Sequence, residues 1–137
     1  MKIKNPASIK TIWPTVSADE NKALSENDRS SVFLIEFAGR KILLCSDIEK
    51  TAQSEILKLY PNLKADIIIA PHHGSVNTLD SAFLERLEPE IVINSCSKTE
   101  FENRNRLVIN KGKVLYTGQD GAIKLHIDPR SRIFITP

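Results

Sequence analysis

The stretch Ala65-Asp66-Ile67-Ile68-Ile69-Ala70-Pro71 constrains the fold of this chain more than any other. A strand with one wet face alternates apolar and polar residues. A nearly continuous β-branched run is instead a strand covered on both faces, as in the parallel sheets of α/β proteins. Glu90-Ile91-Val92-Ile93-Asn94-Ser95-Cys96 reads the same way. Between the two, Asp80 or Thr78 caps a helix carrying Phe83, Leu84 and Leu87, which Pro89 ends. Upstream, residues 31–37 and 41–45 are rich in β-formers and joined by Ala38-Gly39-Arg40, which predicts a β-hairpin. From Asp47 the period turns helical: Ile48, Ala52, Ile56, Leu59 and Tyr60 share one face, and Pro61 stops the helix. Residues 100–111 read as a helix with Phe101, Leu107 and Val108 inward. Three strand-like runs follow, at 114–117, 121–127 and 132–135, with Gly118-Gln119-Asp120-Gly121 as a turn.

The first thirty residues are the least regular part. Ser8-Ile9-Lys10-Thr11-Ile12-Trp13 alternates as a short strand stopped by Pro14, and residues 17–30 form a polar loop or a short helix capped by Asp19 or Ser17. The whole order is a hairpin, then βαβαβα, then short strands, an α/β layered domain spanning 1–137.

Composition narrows the function classes. With 41% hydrophobic and 26% charged residues the chain has the balance of an ordinary globule, and its net charge of +2 creates no overall field for nucleic acid or membrane. The charge is uneven, −2 over residues 1–97 and +4 over 98–137, a mild basic bias toward the C-terminal part. Apolar runs such as Ile67-Ile68-Ile69-Ala70 fall far short of the roughly 20 residues a membrane span needs. Met1-Lys2-Ile3-Lys4-Asn5 leads into no apolar signal core. Cys45 and Cys96 lack CxxC spacing and read as two buried free thiols rather than a disulfide or zinc ribbon.

Ligands of open α/β sheets sit in the loops at the carboxyl ends of strands. Two such loops carry metal-type side chains, Cys45-Ser46-Asp47-Ile48-Glu49 and Pro71-His72-His73-Gly74-Ser75. A carboxylate and an imidazole from neighbouring strand ends, roughly 5 Å apart, suit a divalent cation such as Zn²⁺ or Mn²⁺. Asp47 also stands where a helix N-cap belongs, and the cap and ligand readings are compatible. Ser75 serves as a cap, a turn former or a substrate contact; His126, in an alternating strand, reads as a surface or cross-strand residue. No Gly-x-Ser-x-Gly elbow or phosphate-cradling glycine loop is present.

Taken together, Asn27-Asp28-Arg29-Ser30-Ser31-Val32 before a hairpin, Ser46-Asp47-Ile48-Glu49 at its end, and Pro71-His72-His73-Gly74-Ser75 after the apolar strand resemble the metallo-β-lactamase superfamily. Within it they are most similar to the hydrolase-like C-terminal domain of ComEC-type competence proteins, the channels for DNA uptake. The strand Ile91-Val92-Ile93-Asn94-Ser95 and the turn Thr117-Gly118-Gln119-Asp120-Gly121-Ala122 extend the resemblance, which runs from about residue 9 to residue 127. It implies the C-terminal half of an αββα sandwich, a mixed sheet flanked by helices. It further implies Asp47 as a metal-bridging carboxylate, His72 as a metal ligand, and His73 as a catalytic residue contacting substrate or stabilising charge.

Three departures accompany it. The superfamily's His-x-His-x-Asp-His cluster is missing, Ser46 replaces the glycine usual before the aspartate, and Phe101-Glu102-Asn103-Arg104-Asn105 replaces a Phe-Gly-His-Pro-like segment. The expectation is therefore a partial domain that pairs with a second copy or with a missing N-terminal half. Its zinc or manganese is incompletely held or absent. Metal-dependent phosphodiester hydrolysis requires the missing ligands; the alternative is a non-catalytic interaction or DNA-binding domain on the same scaffold. The chain as it stands reads as cytoplasmic, and as extracytoplasmic if it belongs to a competence channel.

Overall fold

β-branched and aromatic runs account for the sheet that organises the computed structural model, which describes residues 6–136. In chain order the elements are β1 (Ser8–Trp13), α1 (Val16–Asp19), β2 (Val32–Phe37), β3 (Arg40–Leu44), α2 (Lys50–Leu59), β4 (Ile67–Ile69), α3 (Ser81–Leu87), β5 (Ile91–Asn94), α4 (Lys98–Asn103), β6 (Lys113–Tyr116), α5 (Thr117–Asp120), β7 (Lys124–Ile127) and β8 (Ile133–Thr136). A single 3₁₀ turn occupies Asn27–Arg29, and a turn with left-handed backbone at His72 and His73 spans Pro71–Gly74. Strands β1 to β6 lie side by side in sequence order, antiparallel as far as β3 and parallel from β3 onward. Strands β7 and β8 form a separate antiparallel pair. The reading of residues 1–5 as lacking a signal core lies outside the described residues. No helix among the described residues is long and apolar enough to cross a membrane.

The monotonic strand order decides where the helices go. Parallel crossovers are right-handed, so successive crossovers that advance in one direction place their helices on one face. Helices α2 and α3 cover that face, packing Ala52, Ile56, Phe83 and Leu87 against Val32, Leu43, Ile68 and Val92. Buried Gln53 joins them: its amide donates to the Thr78 carbonyl (2.9 Å), and its oxygen accepts from the Asp80 backbone (2.8 Å) at the cap of α3. The other face is covered by β7–β8, whose Ile127, Leu125 and Ile133 meet Ile67, Ile91 and Ile93. The expected mixed sheet with helices is present, and on its second face the β7–β8 hairpin packs.

That second face is only partly covered. Ile9, Phe33, Ile35, Phe37 and Leu44 share it with Ile42 through the strand register and are half-buried or exposed, Ile9 at 69%. A β-bulge between Thr11 and Trp13 turns Trp13 back onto the helix-covered face, where it is buried.

Three local expectations change. Helix α1 is capped by Thr15, whose hydroxyl accepts from the Ala18 N–H, rather than by Ser17 or Asp19. The helix expected over 100–111 is α4 alone, begun by a Ser97–Glu100 capping box and ended by extended Arg104. Leu107 and Ile109 then pack inward while Val108 is exposed. The Gly118 turn is one helical turn, α5.

Arg40 ties the hairpin to the amino ends of three strands. It contacts Asp66 (3.0 Å) and Glu90 (2.7 Å), donates to the Ser131 carbonyl, and has its pKa raised chiefly by Glu90. Arg40→Ala is expected to lower stability by about 1–2 kcal/mol, the worth of charge-assisted bonds at a partly exposed site. Urea unfolding followed by the fluorescence of Trp13, the single tryptophan, measures this; an unchanged midpoint contradicts the clamp.

Candidate functional site

The parallel register places the loops carrying Asp47 and the His72–His73 pair at one end of the sheet. Leu44 pairs with Ile69, and Asp47 and His72 each stand three residues beyond that pair. The loops are joined directly, because the Ser46 carbonyl accepts from the His72 N–H (3.0 Å). Ser46 takes the left-handed φ of +50° that a glycine would adopt freely, and its hydroxyl holds it there by donating to the Ser31 carbonyl (2.6 Å). The departure from glycine at this position is thus compensated by a side-chain bond.

Asp47 is exposed, and the structure does not use it as a helix cap. Helix α2 begins later, with Glu49 at its N-cap and no side-chain cap of its own. The capping carboxylate is Asp28, 5% exposed. Its Oδ1 accepts from the backbone of Glu49 (2.9 Å) and Ala52 (3.0 Å), satisfying N–H groups that a helix start leaves unpaired. Neighbouring residues extend the clamp. The Ser30 hydroxyl accepts from the Asp47 N–H (3.2 Å), and the Asn27 amide donates to Glu49 Oε1 (2.9 Å). Four of the five residues from Asn27 to Ser31, all but Arg29, therefore bond to Ser46, Asp47, Glu49 or Ala52.

The two histidines differ in environment. His72 is half-buried, with Nε2 3.2 Å from the Asn27 amide nitrogen and 3.5 Å from Glu49 Oε1, so one ring nitrogen is occupied by protein partners. His73 is exposed, and its Nδ1 lies 2.7 Å from the Ser95 carbonyl oxygen. A carbonyl only accepts, so Nδ1 carries a proton and Nε2 is the ring nitrogen left outside that bond. Among the described residues no three His, Cys, Asp or Glu side chains converge as a metal-holding group. Cys45, wholly buried, has its thiol pKa pushed up by desolvation and is inert, whereas Cys96 is only half-buried. His126 is remote, paired across the hairpin with Phe134. A cavity of about 680 Å³ between α3 and residues 107–112 contains none of Asp47, His72 and His73.

The turn carrying the histidines is strained. His72, His73 and Gly74 have consecutive φ values of 51°, 57° and 77°, in the left-handed region. Gly74 is required there sterically as well: a Cβ would lie 1.8 Å from Asn94 Oδ1, a buried oxygen without a hydrogen-bond partner among the described residues. Asn94 Nδ2 donates to the Leu115 carbonyl (3.3 Å), which fixes the amide with that oxygen toward the turn.

No protein-family model matches the chain. Among curated proteins it is 30% identical over 116 residues to ComE operon protein 3 of Bacillus subtilis (strain 168), covering 80% of this chain and 15% of that protein. It is 24% identical over 112 residues to Competence protein ComA of Neisseria gonorrhoeae, covering 77% and 16% respectively. It is 29% identical over 105 residues to Uncharacterized protein YcaI of Escherichia coli (strain K12), covering 76% and 13%. The chain is related to competence proteins and spans about one-seventh of the length of these relatives.

Gly74→Ala is expected to cost at least about 2 kcal/mol, from left-handed backbone strain plus the clash with Asn94. Because Asn94→Ala also loses the bond to Leu115, the comparison is made in that background. There Gly74→Ala should lower the denaturant midpoint less than in the wild type but still measurably, so recovery of its cost is partial. Full recovery, or none, contradicts this division.

Proposed function

Given the relation to competence proteins, we propose that this chain handles DNA and forms the C-terminal half of a metallo-β-lactamase-like sandwich. Asp47 and the His72–His73 pair stand at the edge of a metal centre whose other ligands lie outside these residues. The half-exposed apolar patch over β1–β3 supports this reading, since it is the surface on which a completing half, or a second copy, would pack. The observation that carries it is the anchoring of His73. A ring whose Nδ1–H is held by a backbone carbonyl offers Nε2 in a fixed direction, the usual support of a ligating or charge-stabilising imidazole. That geometry favours His73 as the outward imidazole, with His72 tied inward to Asn27 and Glu49.

The residues of this chain do not by themselves fit zinc or manganese. A catalytic zinc site takes three protein ligands, and the described residues bring no such group together. No hydrolytic step is assigned to the chain alone, and phosphodiester hydrolysis belongs to the completed site. The same observation favours, for the chain on its own, a binding role on this scaffold without catalysis.

Manganese titration followed by electron paramagnetic resonance tests the reading. After gel filtration the chain is expected to retain less than about 0.1 equivalent of metal, and Asp47→Ala to abolish the weak binding seen during titration. Retention of a full equivalent contradicts an incomplete centre; unchanged weak binding in Asp47→Ala contradicts the role of that carboxylate.

A further inference from the structure

Beside the histidine turn, Arg106 stands over one ring of an aromatic pair and Arg104 lies alongside. Arg104, just past α4, contacts Glu100 Oε1 (3.0 Å) and reaches the His73 carbonyl oxygen at 3.5 Å. The Arg106 guanidinium carbon lies 3.8 Å from the Phe101 ring centroid, and Phe101 meets Tyr116 with centroids 5.2 Å apart. These four residues and His73 line one shallow depression. Glu100 is held ionised, its pKa lowered chiefly by the Ser97 N–H and further by Arg104 and His73, so it offsets part of the Arg104 charge. Arg106 is exposed and has no carboxylate in salt-bridge reach among the described residues. Its charge is the one with capacity left for a ligand.

The geometry points to a contact for single-stranded DNA built from Arg106 and Arg104 beside His73. An arginine seated on an aromatic ring is pre-ordered at little entropic cost, its N–H edge turned to phosphate oxygens and its outer face open to a base. Stacking on that face requires an unpaired base, which selects a single strand over a duplex. Arg104, carried next to the histidine turn, extends the contact along the strand toward the candidate site. This assignment rests on the reading that the chain handles DNA, and it holds with or without metal.

Fluorescence anisotropy with a labelled oligothymidylate of about 20 nucleotides, in excess EDTA, tests it. Arg104→Ala/Arg106→Ala is expected to bind at least about tenfold more weakly and to lower the slope of log affinity against log salt by about 1.4, two contacts at roughly 0.7 each. Lys124→Ala/Arg130→Ala, on the β7–β8 hairpin, is expected to bind as the wild type does, and circular dichroism confirms that both variants are folded. The proposal is overturned if the folded wild type does not bind, if the arginine variant binds unchanged, if the hairpin variant loses as much, or if a duplex binds more tightly. Because the metal is chelated, failure of the metal reading leaves this result untouched.

Discussion

The buried carboxylate of Asp28 holds the site end of the molecule together. One of its oxygens closes the start of α2 by accepting two backbone N–H groups, while the backbone carbonyl of Asp28 accepts from Trp13 Nε1 at 2.7 Å. An unpaired carboxylate at this depth would be costly, so each of these bonds stabilises the others. Through Asp28 the bulged end of β1, the Asn27–Arg29 turn and the α2 terminus become one unit. Ser30, Ser46 and Asn27 then connect that unit to Asp47, to the backbone of His72 and to Glu49. The loop carrying Asp47 is placed by a segment some twenty residues earlier rather than by its own helix.

Topology sets the rest. Six strands in sequence order put helices α2 and α3 on one face and leave the other to whatever the C-terminal part supplies. The β7–β8 pair covers β4 to β6, held by Arg40 and by Asp128. The Asp128 carboxylate accepts from the Arg130 and Arg132 backbone and has its pKa lowered, chiefly by the latter. The β1–β3 side keeps its apolar residues half in water, while the loops carrying Asp47 and the two histidines open at the carboxyl end of the parallel strands. This arrangement combines a densely hydrogen-bonded site end with an apolar face left partly uncovered.

Much of this was legible in the residues. Ile67 to Ile69 and Ile91 to Ile93 announce doubly covered strands because their β-branched runs lack alternation, and the Gly39 turn and the Pro61 and Pro89 stops mark boundaries by backbone rules alone. What escaped depends on partners distant in sequence. Asp47 has the type and place of a helix cap, yet Asp28 supplies the cap across a gap that no periodicity reveals. The pattern of Phe101, Leu107 and Val108 suits one long helix. Arg104 instead leaves the helix as an extended residue, and the chain beyond it turns Val108 to solvent. His72 and His73 are adjacent and chemically identical, so only the positions of Asn27, Glu49 and Ser95 distinguish the inward ring from the outward one.

If the Asn27–Ser31 segment organises both loops as one unit, the amides of Asp47, Glu49, Ala52 and His72 should open together. Native-state hydrogen exchange of these four, in the wild type and in Asp28→Ala, measures this directly. A common opening free energy in the wild type, with all four losing protection by a similar factor in the variant, is the predicted result. Loss confined to Glu49 and Ala52, with Asp47 and His72 protected as before, would reduce Asp28 to an ordinary helix cap and contradict its role in assembling the site.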